Sequence, residues 1–245
     1  PHPTGPHPTN QPKKSRAPWL IAGGATGALI AAALVTVIII NSGDSKGPTS
    51  PPPPPPLEPG ALNSLLLTPD EMDSIVGTTN LKPGEIYNKM VAEPPQISEP
   101  DCVGAQYNAV GSVYQGSGYS TVVDQTLTSD EPTYTFVNQT AVLFPSADQA
   151  RAFLSASADT WKSCANRTLT VTATDGATYN WTFADVNESD GRIGQVVKQE
   201  GMEGYGCQHV LHVVSNAVLE VQACHDKVSD DADRIAEEMA TKSPT

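Results

Sequence analysis

CQHVLHVVSNAVLEVQAC, residues 207–224, reads as two strands joined by a tight turn at Ser215-Asn216. Apolar residues dominate both arms, and Ser-Asn is turn chemistry. A turn at that point pairs Val214 with Ala217, Leu211 with Glu220 and Cys207 with Cys224. Antiparallel pairs alternate between hydrogen-bonded and non-hydrogen-bonded, so 207/224 falls on a non-hydrogen-bonded pair. The Cα atoms of such a pair approach to about 4.5 Å, which is within disulfide reach. A Cys207–Cys224 bond follows. The other two cysteines, Cys102 and Cys164, are then left for each other.

The same register sorts side chains by face. Gln208, Val210, His212, Val214, Ala217, Leu219, Val221 and Ala223 share one mostly apolar face, expected to be the core. The other face mixes Leu211, Val213 and Val218 with His209, Glu220 and Gln222. His209 faces Gln222 and lies diagonal to Glu220, about 7–8 Å away by sheet geometry. These three, with nearby Tyr205, are the candidate ligand-binding residues. A general base pair of His209 and Glu220 is the catalytic alternative; a partly exposed polar pair is the bland one. Tyr205, Trp181, Tyr179 and Tyr119 either pack in the core or line a carbohydrate or lipid pocket. Cys207, His209, His212, Cys224 and His225 resemble a metal set, but His209 and His212 point to opposite faces of a regular strand. Oxidised cysteines also lack the thiolates that zinc needs. No metal and no cofactor is expected.

Outward from the hairpin, the chain reads as α+β. Thr68-Pro69-Asp70-Glu71 is a capping box closed by Gly77, giving a helix over about 69–76. Residues 78–101 are rich in Pro and Gly and read as loop. GYSTVVDQTLT and YTFVNQTAVLF alternate as strands do. Ser146 opens a helix to about Ser163, with Ala150, Phe153, Leu154, Ser157 and Trp161 on one face. Strand-like runs follow at 167–173, 178–186 and 192–199. A last helix, capped by Ser229 or Asp230, turns Ala232, Ile235, Ala236 and Met239 inward. The expected fold is a two-layer domain, an antiparallel sheet of about six strands with helices on one face.

Domain organisation is set by the first 60 residues. Residues 1–18 repeat Pro-His-Pro-Thr and are too polar to bury a core. Trp19 to Ile40, WLIAGGATGALIAAALVTVIII, carries no charge and no proline. At about 1.5 Å per residue it covers the roughly 30 Å hydrocarbon core of a bilayer. It is longer than the apolar core of a signal peptide, and Asn41-Ser42-Gly43 is a poor cleavage site. Lys13, Lys14 and Arg16 precede it, and all 27 acidic residues follow it. The positive flank stays cytoplasmic, so the plasma membrane is crossed once and the bulk lies outside. Gly23, Gly27 and Ala31 form a small-residue face suited to a helix homodimer, or are simply the small residues of an anchor. Residues 41–60, with six consecutive prolines, form a stalk, and 61–245 form one outer domain. The acidic outer part is a poor partner for nucleic acid. Kinase, Walker, G-x-S-x-G and H-E-x-x-H signatures are absent, so no enzyme is expected in these residues. The sequons at Asn138, Asn166, Asn180 and Asn187 read as chance matches in a chain of bacterial character.

The order of a basic flank, one apolar span, a Pro-rich stalk, LLLTPDEMDSIVG, EPDCVGAQ, FPSADQARAFLSASADTWKSC and the GYGCQH…VQAC hairpin resembles a known family. It is similar to the extracellular sensor domain of mycobacterial receptor serine/threonine protein kinase H and its anchored relatives. The resemblance implies a two-layer α/β domain with a ligand-accepting cleft, and disulfides Cys102–Cys164 and Cys207–Cys224. It further implies a sensor of envelope conditions in a plasma membrane, possessing an unknown small extracytoplasmic ligand (lipid, glycan or peptide). A standalone lipid- or glycan-binding envelope protein is the alternative reading, and an extracellular hydrolase the third.

Overall fold

The computed structural model describes residues 55–130, 133–173 and 175–244. The expected transmembrane helix, with Gly23, Gly27 and Ala31, lies outside these residues, as do 1–18 and the stalk as far as Pro54. Among the described residues no helix is long and apolar enough to cross a membrane.

Helices α1 (Leu62–Leu65) and α2 (Pro69–Val76) open the domain, followed by β1 (Lys82–Tyr87) and β2 (Gln96–Ile97). Short helices α3 (Val103–Gln106) and α4 (Gly111–Tyr114) lead into β3 (Thr121–Ser129) and β4 (Thr135–Leu143). The long helix α5 (Ala147–Cys164) precedes β5 (Thr168–Thr172), β6 (Thr178–Ser189), β7 (Arg192–Gln199), β8 (Gly206–Val214) and β9 (Ala217–His225). Helix α6 (Asp231–Thr241) closes the chain. The strands form one sheet in the order β1-β3-β4-β9-β8-β7-β6-β5-β2, and every ladder in it is antiparallel. The β8–β9 hairpin sits at its centre, in the register that the Ser215-Asn216 turn predicts: Val214 with Ala217 through to Cys207 with Cys224.

Two features differ from the sequence expectation. Among the described residues the sheet has nine strands rather than about six: all seven strand-like runs pair, and β1 and β2 arise within the stretch read as loop. Strand β1 is KPGEIY, and all six of its residues are exposed. With neither face buried it needs no apolar alternation, and Pro and Gly are tolerated on an edge strand. Helices also cover both faces, not one. Helix α5 packs Phe153, Leu154 and Trp161 against Leu211, Val218, Phe183 and Ile193. Helices α1, α2 and α6 pack Leu62, Leu65, Met72, Ile235 and Met239 against Val210, Leu219 and Val221. The domain therefore has three layers.

The helix ends follow local chemistry. The Thr68 hydroxyl accepts from the Glu71 amide at 3.4 Å, the Glu71 carboxylate accepts from the Thr68 amide at 2.7 Å, and Gly77 ends α2 at φ 75°. Ser146 caps α5 by accepting from the Gln149 amide. Neither Ser229 nor Asp230 caps α6 in the expected way: the Asp230 side chain makes no cap hydrogen bond. Gln208 on β8 supplies the acceptor instead, its Oε1 lying 2.9 Å from the Ala232 amide and 3.3 Å from that of Asp233. Side-chain amides also dock the entering chain. Asn216 and Gln139 each donate to and accept from the backbone of one residue, Leu57 and Leu67 respectively.

Because both faces are buried, Leu211→Ala and Leu219→Ala should each cost about 2–5 kcal/mol in urea unfolding. A near-neutral Leu211→Ala would mean that the α5 face is not packed. The two chain ends of the domain meet where the Lys242 ammonium lies 2.9 Å from Glu71. That hydrogen bond, with those from Thr68, holds the Glu71 carboxyl down from 4.5 to about 2. A depressed carboxyl stabilises fully above its unfolded value and loses that contribution as pH falls through its folded value. Lys242→Met should therefore cost stability at neutral pH and progressively less between pH 4.5 and about 2. Glu71 is 38% exposed, so the effect is small and weakened by salt. Chemical denaturation at stepped pH, wild type against variant, checks it.

Candidate ligand-binding site

The two polar residues that the register places diagonally, His209 on β8 and Glu220 on β9, meet at 3.1 Å between Nε2 and Oε1. They are not a partly exposed pair: His209 is 0% and Glu220 3% exposed. What covers them is α5 and the α3–α4 segment. The other carboxylate oxygen of Glu220 accepts from the Tyr114 hydroxyl at 2.7 Å and the Ala109 amide at 3.1 Å. His209 Nδ1 faces the Ala105 carbonyl at 3.1 Å. Both ring nitrogens thus face oxygen atoms.

A second buried carboxylate lies nearby. Asp124 accepts from Thr140 at 2.6 Å and Asn138 at 2.8 Å. Burial pushes its carboxyl above the usual range, although those hydrogen bonds oppose the shift. Burial, and then the Glu220 charge, push the Tyr114 hydroxyl well above its usual range. Tyr114 therefore remains a donor at any physiological pH. Buried donors and acceptors that are matched in this way hold structure. A substrate has no access to His209 or Glu220, which bears against the catalytic alternative.

Above this cluster lies a cleft of about 410 Å³ between α5 and the segment around α4. Phe153 and Trp161 form its floor. Phe153 stacks on Tyr114 with centroids 4.3 Å apart. Trp161 rests 4.5 Å from the His209 ring. The remaining wall mixes small and polar side chains, among them Ala156, Thr160 and Gln149. Phe153 and Trp161 thus touch both the cleft and the buried cluster.

Tyr205 and Gln222 are brought together elsewhere, in a separate pocket of about 170 Å³. Burial raises the Tyr205 hydroxyl to about 12. Cys207 and Cys224 are bonded and line the same pocket. Cys102 is bonded to Cys164, which ties the start of α3 to the end of α5. Of the other aromatics, Trp181 shares the Tyr205 pocket, Tyr179 is exposed, and Tyr119 packs edge-on to Tyr114. His212 projects away from His209 and sits 3.3 Å from Arg192, while His225 pairs with Asp231 at 2.9 Å. Sequence reasoning missed Tyr114, Ala109 and Asn108, whose side-chain amide donates to the Glu220 carbonyl at 3.1 Å, because VGAQYNAVGSVY shows no period that points them at the sheet.

Glu220→Ala leaves three donors without their acceptor in a dry site. It should cost about 3–5 kcal/mol, and Tyr114→Phe about 1.5–3 kcal/mol. A double-mutant cycle in urea should show the two to be coupled; additive effects would mean that the contact carries no energy.

Comparison with known proteins gives this arrangement a lineage. The family model of the PknH-like extracellular domain matches residues 57–242. Serine/threonine-protein kinase PknH of Mycobacterium tuberculosis H37Rv is 38% identical over 241 residues, which cover 97% of this chain and 38% of that protein. The Mycobacterium bovis protein of the same name is also 38% identical, with 39% of its length covered. The chain thus spans under two-fifths of these relatives. The crystal structure of the extracellular domain of PknH from M. tuberculosis superposes with a TM-score of 0.73 at 39% identity, covering 77% of this chain and 97% of that one. The chain belongs to the PknH-like extracellular domain family.

Proposed function

We propose that the chain is a membrane-anchored, extracytoplasmic ligand-binding sensor, the outer half of a receptor whose signalling domain is a serine/threonine kinase. Membership of an extracellular-domain family supports the outward placement. The apolar span 19–40 with its basic flank supports the anchor. One observation carries the sensing role: the cleft floor rests directly on the cluster that fixes the central hairpin. A ligand that displaces Phe153 or Trp161 disturbs the contacts of Tyr114 and His209. The tip of the same hairpin holds the incoming stalk, through Ser215 to the Pro55 carbonyl and through Asn216 to Leu57. Binding would then alter how two stalks and their Gly23/Gly27/Ala31 helix faces associate.

Ala156 lies exposed in the cleft wall on α5, so Ala156→Phe fills the cleft without touching the core. A fluorine-NMR fragment library screened against the chain in detergent should yield hits that compete with one another. Ala156→Phe should abolish them with stability unchanged within about 0.5 kcal/mol. An absence of competing hits, or hits indifferent to Ala156→Phe, sinks the cleft as the site. For the receptor half of the reading, an immunoblot of host membranes against the outer domain should show a band larger than this chain by a folded domain. A band at the mass of this chain alone would leave a standalone binding protein.

A further inference from the structure

The α5 cleft carries polar groups that the fold leaves unused. A helical hydroxyl can turn back onto its own helix, as two on α5 do. Thr160 donates to the Ala156 carbonyl at 3.1 Å and Ser163 to the Thr160 carbonyl at 2.7 Å. Ser157 does not. It is 8% exposed and lines the cleft, and among the described residues its hydroxyl has no hydrogen-bond partner. The same holds for the indole N–H of Trp161, the next lining residue on that face of α5. A buried donor left without a partner is costly, and native structures hold few of them.

Neither group is sealed off. Among the described residues, the buried side-chain atoms that are both unpaired and cut off from solvent lie at Thr78, Gln106, Tyr107, Asn108 and Gln195. Those of Ser157 and Trp161 therefore keep open surface, and the cleft is the space that their side chains line. Gln115, Gln149 and Thr160 line it too and are exposed. Val113, Ala152 and Phe153 give it an apolar share. Asp101 is the one lining residue that carries an acid or a base, and Arg167 already lies 3.7 Å from its carboxylate.

We propose that the α5 cleft binds a neutral glycan. This rests on the cleft being the binding site, as argued above, and names the chemistry of what it takes. An anion would meet no cation in the wall and would lose its hydration. A cation would find one carboxylate, already facing Arg167. An acyl chain would leave Ser157 and Trp161 unpaired in a drier site. An extended peptide is held by main-chain bonds to a free strand edge, and the wall here is the helix α5 and the turn around α4. A sugar hydroxyl both donates and accepts. It pairs with the Ser157 hydroxyl, accepts from the Trp161 N–H and meets the amides of Gln115 and Gln149, while the C–H faces of the ring rest on Phe153 and Val113. A cleft of about 410 Å³ lies within the usual range of small-molecule sites.

The test uses the chain in a detergent without a sugar headgroup. A fluorinated fragment whose binding Ala156→Phe abolishes serves as the reporter of the cleft. Maltotriose, trehalose, chitobiose and mannobiose are the probes; glucuronate, hexanol and a blocked trialanine peptide are the comparisons. At least one saccharide should displace the reporter, and the comparisons should not. Ser157→Ala and Gln115→Met should each weaken that saccharide about fivefold without lowering the melting temperature, since neither side chain has a partner to lose. Three results overturn the glycan and leave the cleft standing: no saccharide displaces the reporter, the peptide or hexanol does so instead, or saccharide affinity is indifferent to both substitutions. If no fragment responds to Ala156→Phe, the cleft itself falls and the glycan with it.

Discussion

A buried carboxylate on β9, one place from the sheet's central strand, organises the α5 side of this domain. Glu220 is shielded from water, and an unpaired charge there would cost several kcal/mol. It must be met by donors, and the sheet alone does not provide enough of them. The His209 ring on β8 meets one oxygen, and the chain supplies the rest by folding residues 105–114 down onto the hairpin: the Ala109 amide and the Tyr114 hydroxyl. Delivering the Ala109 amide requires φ 53° at a non-glycine residue, a strain of about 1–2 kcal/mol. A hydrogen bond to a charged acceptor contributes about 1.5–3 kcal/mol, so the strained conformation holds. Once Tyr114 is placed, Phe153 stacks on it and α5 is positioned. The Cys102–Cys164 bond fixes the same segment to the far end of α5. Closing a loop of that length adds roughly 4 kcal/mol in the chain-entropy model. The cleft is the gap that remains between these mutually fixed parts.

The fold was most legible where one local rule decides. The hairpin register follows from its turn and its pattern, since a slip of one residue would flip every side chain. The capping box of α2, the Ser146 cap of α5 and the apolar stripe of α5 are local in the same sense. Legibility fails where a partner distant in sequence does the work. Strand β1 is held by the backbone of β3, and its own side chains face solvent. The cap of α6 comes from Gln208, more than twenty residues upstream. Helices on both faces were hidden because the second face of the hairpin carries His209, Glu220 and Gln222, and polar residues on a strand ordinarily mark solvent.

The site shows the same division. Register alone placed His209 diagonal to Glu220, and their side chains close that gap to 3.1 Å. Their burial was not legible, because the covering segment 103–114 has neither a helical nor a strand period. Tyr205 and Gln222 share a pocket, but not with the histidine: Gln222 faces His209 across the ladder, while its side chain turns to the Gln106 carbonyl. The α5 cleft was invisible for a different reason. Phe153 and Trp161 read as core, and they are core on one side; only the gap above them makes the other side a floor.

The way the stalk enters the domain bears on how a signal would leave it. A strand's backbone usually anchors a neighbouring segment; here two side-chain amides take that part. Asn216 donates to the carbonyls of Leu57 and Phe144 and accepts from the Leu57 amide, so the hairpin tip, the end of β4 and the entering chain share one group. Gln139 on β4 repeats the device at Leu67. Pro51 to Pro56 precede this anchor, and the expectation from sequence is that such a run makes a stiff polyproline II spacer rather than a flexible tether. A flexible linker would absorb a small rotation of the hairpin. On the sensing reading proposed above, a stiff spacer pinned at its tip would pass that rotation on toward the membrane. The same hairpin that must satisfy Glu220 thus also holds the entering chain at Leu57, and in the proposed sensor it would be the lever between the cleft and the stalk.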